Sequence, residues 1–159
     1  ATAAAAAAGA SVCHVDASRG MVMQAKENAR LSGLEASPIR YLVDDCKKFV
    51  EREIRRGNRY DAVIMDPPSY GRGPSGEVWK LEDNIDCFIK LATEVLSNDP
   101  LFFLVNSYTT GLSPSVIKYI IDTTDKLSGG ISEADELGLP VTETKLMLPC
   151  GSAVRWQKD

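Results

Sequence analysis

The chain has 159 residues, of which 44% are hydrophobic and 25% charged, and its formal net charge is −4. This composition is typical of a water-soluble globular protein and excludes a membrane-spanning one, because no apolar run approaches the roughly 20 residues that a transmembrane helix requires. The acidic balance also excludes a protein that binds nucleic acid through its overall charge, so any nucleic-acid partner has to meet a local basic patch or a part of the protein that is not in this sequence.

The cysteines are few and lie far apart in the sequence. Cys13, Cys46, Cys87 and Cys150 form no Cys-x-x-Cys pair, and the chain has one histidine, so a zinc site of the usual ligand spacing is not expected. Cys87 and Cys150 are expected to be packing residues. Such cysteine usage is typical of a reduced, cytoplasmic protein.

Apolar stretches and helix caps predict five elements before Gly57. They are an alanine-rich helix ending at Gly9, a strand over Ser11–Val15, a helix over Arg19–Leu31 capped by Ser18, a strand over Pro38–Val43 and a helix over Cys46–Gly57. No strand precedes the opening helix. We therefore expect a single domain over residues 1–159 that lacks its first strand and the loop after it.

The second half of the chain also alternates strands with helices but ends in a predicted hairpin. It predicts a strand over Tyr60–Met65, a glycine-rich loop over Ser69–Gly76, a helix over Asn84–Leu96, a strand over Leu101–Val105, a helix from Ser113-Pro114 to Ile121, and a terminal hairpin of Lys145–Leu148 and Ala153–Trp156 around Pro149–Gly151. Strands that alternate with helices and finish in a hairpin predict a doubly wound α/β domain with antiparallel strands at its edge.

Three predicted strands in succession end in acids, namely Asp16, Asp44-Asp45 and Asp66. Because the carboxyl ends of parallel strands meet at one edge of a sheet, these carboxylates can accept hydrogen bonds from the ribose or amine of a nucleoside cofactor. The alternative for any single position is that the aspartate only caps the following helix. The third acid is followed by Pro67 and Pro68, which donate no backbone hydrogen bond and hold the chain extended.

Three stretches of the chain resemble the class I S-adenosylmethionine-dependent methyltransferases, and within them the bacterial 23S rRNA methyltransferase-like proteins. The stretches are Gly9–Ser18, Val43–Val50 and Asp66–Gly73 with Gly76–Lys80. The resemblance implies a Rossmann-like fold, with a mostly parallel doubly wound sheet and antiparallel C-terminal strands. It also implies S-adenosyl-L-methionine as the cofactor and rRNA as the methyl acceptor. The family's first strand and its glycine-containing loop would lie before Ala1.

The resemblance also implies roles for the residues at the strand ends. Asp16 would hold the cofactor ribose, Ala17 would pack on the adenine, and Asp45 would accept a hydrogen bond from the adenine amine. The backbone of Cys46 would lie alongside the ring. The cofactor-binding residues implied in this way are Asp16, Ala17, Ser18, Asp44, Asp45, Cys46, Asp66 and Pro67.

The tract that begins at Asp66 carries the predicted catalytic residues. In the family, Asp66 and Pro67 match positions beside the methionine end of the cofactor and the transferred methyl group. An acid there can accept a hydrogen bond from an acceptor amine while an aromatic ring stacks on a flat base. Tyr70 is that ring, with packing of the loop as the equally weighted alternative. Asp66, Pro67, Pro68 and Tyr70 form the predicted catalytic set.

Two groups of cations could contact RNA phosphate. Arg72 in the glycine-rich loop and Lys80 after it are the predicted substrate-binding residues. The arginine run over Arg52–Arg59 is better explained as a solvated helix end, where the helix dipole favours cations. The strand over Leu101–Val105 is followed by Asn106–Thr109 and not by a cysteine. That absence argues against a covalent mechanism at cytosine.

The sequence as a whole predicts an S-adenosylmethionine-dependent methyltransferase that acts on rRNA in the cytoplasm. Two alternatives stay open, a methyltransferase for a small molecule or a protein, and a cofactor-binding domain without activity. Neither a metal nor a membrane is an expected partner, and a homodimer is compatible with the sequence.

Overall fold

A computed structural model describes residues 1–72 and 78–159 of the chain. The chain divides into two units, Ala1–Arg56 and Gly57–Asp159. Residues 73–77, which include part of the predicted glycine-rich loop, lie outside the described residues. The single domain expected over residues 1–159 stays a prediction.

The first unit alternates helices with two parallel strands. Its elements are α1 (Thr2–Ala7), β1 (Val12–Asp16), α2 (Arg19–Leu31), β2 (Ile39–Val43) and α3 (Cys46–Arg56). Strands β1 and β2 pair in parallel, from Val12 opposite Ile39 to Asp16 opposite Val43. The predicted cap of α2 is confirmed, because Ser18 Oγ accepts a hydrogen bond from the Met21 backbone N–H at 3.4 Å. All five elements agree with the predicted order.

The second unit is built around a four-stranded sheet. Its elements are β3 (Ala62–Met65), β4 (Tyr70–Arg72), β5 (Val78–Lys80), α4 (Leu81–Thr93), β6 (Phe102–Ser107), α5 (Pro114–Asp122), a short 3-10 helix (Asp125–Leu127), β7 (Gly130–Pro140) and β8 (Met147–Lys158). The sheet has the order β3-β6-β8-β7, while β4 and β5 form a separate two-stranded sheet. Strand β3 is parallel to β6, and the other pairs in the larger sheet are antiparallel.

The core of the second unit lies between this sheet and the two helices α4 and α5. Strand β6 alternates partly exposed and buried positions, and its Phe103 and Val105 are completely buried. Helices α4 and α5 supply apolar side chains at helical spacing. Those that are buried to 2% exposure or less are Leu81, Ile85, Ile89, Ala92, Ile117 and Ile121. The predicted α/β class, with parallel strands followed by antiparallel ones, is confirmed.

The prediction of the terminal hairpin is wrong. The sequence predicts that Lys145–Leu148 and Ala153–Trp156 face each other, but residues 147–158 form one strand, β8, which pairs with β7 on one side and β6 on the other. Leu137 pairs with Gly151 and Gly138 with Pro149, which leaves Cys150 as the extra residue of a β-bulge. A proline is tolerated at a bulge because no ladder hydrogen bond is needed there. The segment that resembles a turn is therefore a bulge inside a strand.

Two other boundaries differ from the predictions. Helix α4 begins at Leu81 and ends at Thr93, three residues earlier than expected at each end. Its end is set by Tyr60, which exchanges backbone hydrogen bonds with Val95 and Ser97 at 2.8 and 2.9 Å. Part of the predicted glycine-rich loop is also ordered, because Tyr70–Arg72 pairs with Val78–Lys80.

Among the described residues, no helix combines the length and the apolar character that crossing a bilayer requires.

Gly130, at the start of β7, lies close against the Trp156 ring of β8, and a substitution there tests this contact. A Cβ atom at Gly130 would overlap the buried Trp156 ring, so Gly130→Ala should destabilise the protein by about 1–3 kcal/mol. Gly20→Ala is the control, since the nearest atom to a Cβ at Gly20 lies 3.7 Å away and alanine favours a helix. Urea unfolding followed by circular dichroism gives both values. Equal stability of Gly130→Ala and the wild type would contradict the close approach.

Candidate functional site

In the first unit, the acids lie side by side at the carboxyl ends of β1 and β2. Asp16 is the last residue of β1, and Asp44 and Asp45 follow β2 directly. The backbone N–H of Asp44 donates to the Asp16 carbonyl oxygen at 3.0 Å, so the ladder continues to the point where the acids begin. The structure thus brings together three of the acids that the sequence singled out.

Each of these acids already has a partner within the first unit. Asp16 Oδ1 accepts from the Ser18 backbone N–H at 2.6 Å, and Asp45 Oδ1 accepts from the Lys48 N–H at 2.9 Å, which caps α3. Asp44 forms an ion pair with Arg52. Capping therefore accounts for one oxygen of Asp45. Within residues 1–72 and 78–159, Oδ2 of Asp16 and of Asp45 accepts no hydrogen bond from the protein, so both can accept from a ligand.

Cys46 marks the centre of this acid cluster. It is the first residue of α3, and its thiol lies 3.6 Å from the Val15 carbonyl oxygen. The pKa of the Cys46 thiol is raised to about 11, first by burial and then by the negative charges of Asp16, Asp45 and Asp44 in that order. The thiol is therefore protonated at neutral pH and is not a nucleophile. The surrounding potential favours hydrogen-bond donors such as hydroxyls and amines.

Two of the three arginines of α3 take part in local ion pairs. Arg52 pairs with Asp44, and Arg56 Nη1 lies 3.0 Å from the Glu53 carboxylate. Glu53 is completely buried. These contacts agree with the interpretation of the arginine run as a helix end and not as a phosphate site.

In the second unit, the tract after β3 is anchored so that its acid stays exposed. The carbonyl oxygen of Pro68 accepts a hydrogen bond from Trp79 Nε1 at 2.8 Å, and that of Ser69 accepts from the Leu81 N–H at 3.0 Å. Pro67 is buried, whereas Asp66 is exposed. The backbone is thus held from β5 and α4 while the Asp66 carboxylate faces solvent.

The β4–β5 hairpin presents an aromatic ring and two cations on one face. Tyr70, Arg72 and Lys80 are exposed, and Tyr70 pairs directly with Lys80. Arg72 Nε donates to Tyr70 Oη at 3.0 Å. Trp79 points to the other face, where it meets Phe88 edge-on at a ring separation of 5.7 Å. Tyr70 is 51% exposed, so part of its ring is available to a ligand.

Sequence reasoning missed a cavity at the carboxyl end of β6. This cavity, the β6 cavity, has a volume of about 410 Å³ and is lined by Ser107–Thr110, Leu112, Pro114, Glu136 and residues 149–152. Thr109 Oγ1 donates to Ser69 Oγ at 2.8 Å, so the cavity borders the tract that begins at Asp66. The polar residues Ser107–Thr110, which come at the end of a buried strand, were the signal that could have revealed this side of the cavity.

The far wall of the β6 cavity could not be found in the same way. Glu136 lies on β7, which the sequence did not predict, and Cys150 lies in the bulge of β8, which the sequence predicted as a turn. Cys150 and Cys87 are both exposed, so the expectation that they are packing residues is wrong. The cavity depends on a strand pairing that local sequence does not reveal.

Comparisons with known proteins agree with the family that the motifs indicated. The family model described as "S-adenosylmethionine-dependent methyltransferase" matches residues 1–109. Ribosomal RNA large subunit methyltransferase K/L of Legionella pneumophila (strain Corby) is 30% identical over 112 residues, which cover 69% of this chain and 15% of that protein. Ribosomal RNA large subunit methyltransferase I of Erwinia tasmaniensis is 36% identical over 59 residues, or 37% of this chain and 15% of that protein.

A solved structure confirms the fold. The crystal structure of an S-adenosylmethionine-dependent methyltransferase from Agrobacterium tumefaciens is 38% identical, with a TM-score of 0.87. The match covers 98% of this chain and 51% of that one. The predicted Rossmann-like methyltransferase fold is confirmed. The chain spans about half the length of this structure and 15% of the length of the two curated relatives.

The raised pKa of Cys46 predicts slow alkylation. At pH 8, Cys46 should react with iodoacetamide about 100-fold more slowly than the exposed Cys87, because only the thiolate reacts. Above pH 8, the alkylation rate of Cys46 should rise about tenfold per pH unit and level off only near its pKa of about 11. Peptide mass spectrometry after timed labelling gives both rates. Equal rates at pH 8 would contradict the burial of Cys46 among the acids.

Proposed function

The chain belongs to the S-adenosylmethionine-dependent methyltransferase family, and from this membership we propose that it transfers a methyl group from S-adenosylmethionine to ribosomal RNA in the cytoplasm. The observation that carries the proposal is the exposed Asp66 carboxylate on a tract anchored at Pro68 and Ser69. The rRNA substrate is supported by the names of the relatives that share this part of the chain. Action as a homodimer stays a prediction.

The residues of the first unit fit the adenosine part of the cofactor. Asp16 and Asp45 each keep one carboxylate oxygen without a protein donor among the described residues, and such oxygens suit the ribose hydroxyls and the adenine amine. Ala17 and Ser18 are exposed next to Asp16, so the small side chain of Ala17 leaves room for the ring. The Cys46 backbone would lie alongside the adenine. Asp44 would contribute by holding Arg52 away from the two open acids.

The residues of the second unit suit the acceptor side of the reaction. When bound, the cofactor supplies an electrophilic methyl group, and the protein contributes positioning, exclusion of water and the handling of one proton. Asp66 would accept a hydrogen bond from an N–H group of the substrate that receives the methyl group. This bond would orient the lone pair of that nitrogen. Pro67 and Pro68 would keep that carboxylate in place, since the extended backbone before a proline has few alternative conformations.

The exposed face of the β4–β5 hairpin suits a nucleotide. The Tyr70 ring can stack on a base, and Arg72 beside it can pair with a phosphate. Lys80 lies opposite Tyr70 in the hairpin and adds a second cation. A local patch of this kind can bind RNA although the net charge of the chain is −4.

Asp16→Asn should weaken S-adenosylmethionine binding by about 10- to 100-fold, because a hydrogen bond to a charged acceptor is replaced by one to a neutral amide. Asparagine can still accept from the Ser18 N–H, so the fold should be kept. Glu35→Gln, an exposed carboxylate outside the acid cluster, is the matched control and should bind as the wild type. Titration calorimetry measures all three. Unchanged affinity in Asp16→Asn would remove Asp16 from the cofactor site.

Asp66→Asn should lower the rate constant for methyl transfer by about 100-fold or more, in the range of losses seen when a group that handles a proton is removed. The affinity for S-adenosylmethionine should change much less. The assay is transfer of a radiolabelled methyl group to rRNA from a strain that lacks the gene.

Asp61→Asn is the matched control, because Asp61 precedes β3 as Asp66 follows it and both are exposed. Full activity of Asp66→Asn would show that the catalytic residue is elsewhere. An absence of transfer by the wild type to this rRNA would overturn the proposed substrate.

A further inference from the structure

We propose that the β6 cavity is the subsite for the acceptor nucleobase, and that Glu136 determines its specificity by accepting a hydrogen bond from an N–H group of that base. This inference rests on the proposed function and names where its substrate binds. It concerns only residues of the second unit. Four observations support it: the position of the cavity, its shape, its single carboxylate and the backbone geometry that builds its far wall.

The position of the cavity follows from the pairing of β3 with β6. Met65 lies opposite Val105 in the parallel ladder, so both strands end at the same edge of the sheet. Asp66 follows one strand, and Ser107 ends the other. The hydrogen bond between Thr109 Oγ1 and Ser69 Oγ ties the two loops together at 2.8 Å. A group held in the cavity is therefore next to the tract that carries the exposed Asp66.

The shape of the cavity suits a flat ring that is attached to a longer strand. Its volume of about 410 Å³ falls within the roughly 300–1,000 Å³ that is typical of small-molecule sites. Leu112 and Pro114 provide apolar surface, and the Tyr108 side chain, 57% exposed, provides an aromatic one. The cavity opens widely to solvent. An open rim is what a nucleobase needs when its sugar and phosphates continue outside the pocket.

Glu136 is the one carboxylate in the lining of the cavity. Among the described residues it forms no ion pair, whereas Glu133 on the same strand pairs with Arg155 at 3.0 Å. An ionised carboxylate only accepts hydrogen bonds. It therefore favours a base edge that presents an amino or ring N–H group, and it repels an edge that presents only acceptors.

The β-bulge explains why the far wall stands where it does. With Cys150 as its extra residue, the bulge lets β8 bend and re-aims the side chains around it. Gly151 has a φ of +134°, and a Cβ there would lie 2.6 Å from the Ser107 carbonyl oxygen. Only glycine allows this approach of β8 to the end of β6. The bulge places Cys150 in the wall of the cavity, and Glu136 of the neighbouring strand β7 lines the same wall.

The first test separates substrate binding from chemistry. Glu136→Gln should raise the KM for rRNA from a strain that lacks the gene by about tenfold while kcat changes less than about threefold, because a binding contact is weakened and Asp66 is untouched. Glu143→Gln is the matched control, since Glu143 is exposed on the same hairpin but does not line the cavity. A KM equal to that of the control would overturn the specificity role of Glu136.

The second test uses the exposed thiol in the cavity wall. In the wild-type protein, the same rRNA should slow alkylation of Cys150 at least fivefold and leave alkylation of the exposed Cys87 in α4 unchanged. Peptide mass spectrometry distinguishes the two cysteines. If the protein methylates this rRNA but Cys150 is not protected, the cavity is not the base subsite and the proposed function still stands. If the protein does not methylate it, the proposed function fails and the inference with it.

Discussion

Strand β6 is hydrogen-bonded along both edges, and the proposed acceptor half of the site depends on those two ladders. The parallel ladder with β3 places Ser107 beside the residues that follow Met65. The antiparallel ladder with β8 brings Ser152 opposite Ser107. Phe103 and Val105 of β6 are fully buried against α4 and α5, so the strand cannot slide by one residue without exposing them. The burial of a few apolar side chains therefore fixes the polar residues at the end of the sheet.

In the first unit, the acids stabilise the fold with one carboxylate oxygen and leave the other open to a ligand. A carboxylate has two oxygens, and Asp16 and Asp45 each use Oδ1 to accept a backbone N–H, from Ser18 and Lys48. These bonds orient Oδ2 before any ligand arrives, so less side-chain freedom is lost on binding. The same bonds explain why helix capping and cofactor binding, which the sequence presented as alternatives, are compatible at a single residue.

Local signals allowed the elements and the acids to be predicted, whereas the cavity required pairing information. Ser18 caps its helix as expected, and Ser113 also caps the helix that was predicted to begin at Ser113-Pro114, because a hydroxyl accepting a nearby N–H is encoded within a few residues. Strand β7 (Gly130–Pro140) was missed because its exposed face carries charged residues and no apolar run. The sequence predicts a turn at Pro149–Gly151 since proline and glycine favour one, and only the pairing with β7 shows that it is a bulge. No signal in the sequence therefore indicated that Glu136 lies near the end of β6.

The distribution of charge reconciles an acidic chain with the proposed RNA substrate. The acids that suit a nucleoside are in the first unit, where their combined negative charge also acts on the Cys46 thiol and produces a potential that phosphate would avoid. The exposed cations Arg72 and Lys80 are in the second unit, on the hairpin that also holds Trp79 against the Pro68 carbonyl. Affinity for RNA falls with salt in proportion to the number of phosphates contacted, so a patch of two cations gives weak, salt-tolerant attraction. Selection of the substrate then depends on contacts with the base, and the open cavity with one carboxylate is where the second unit can make them.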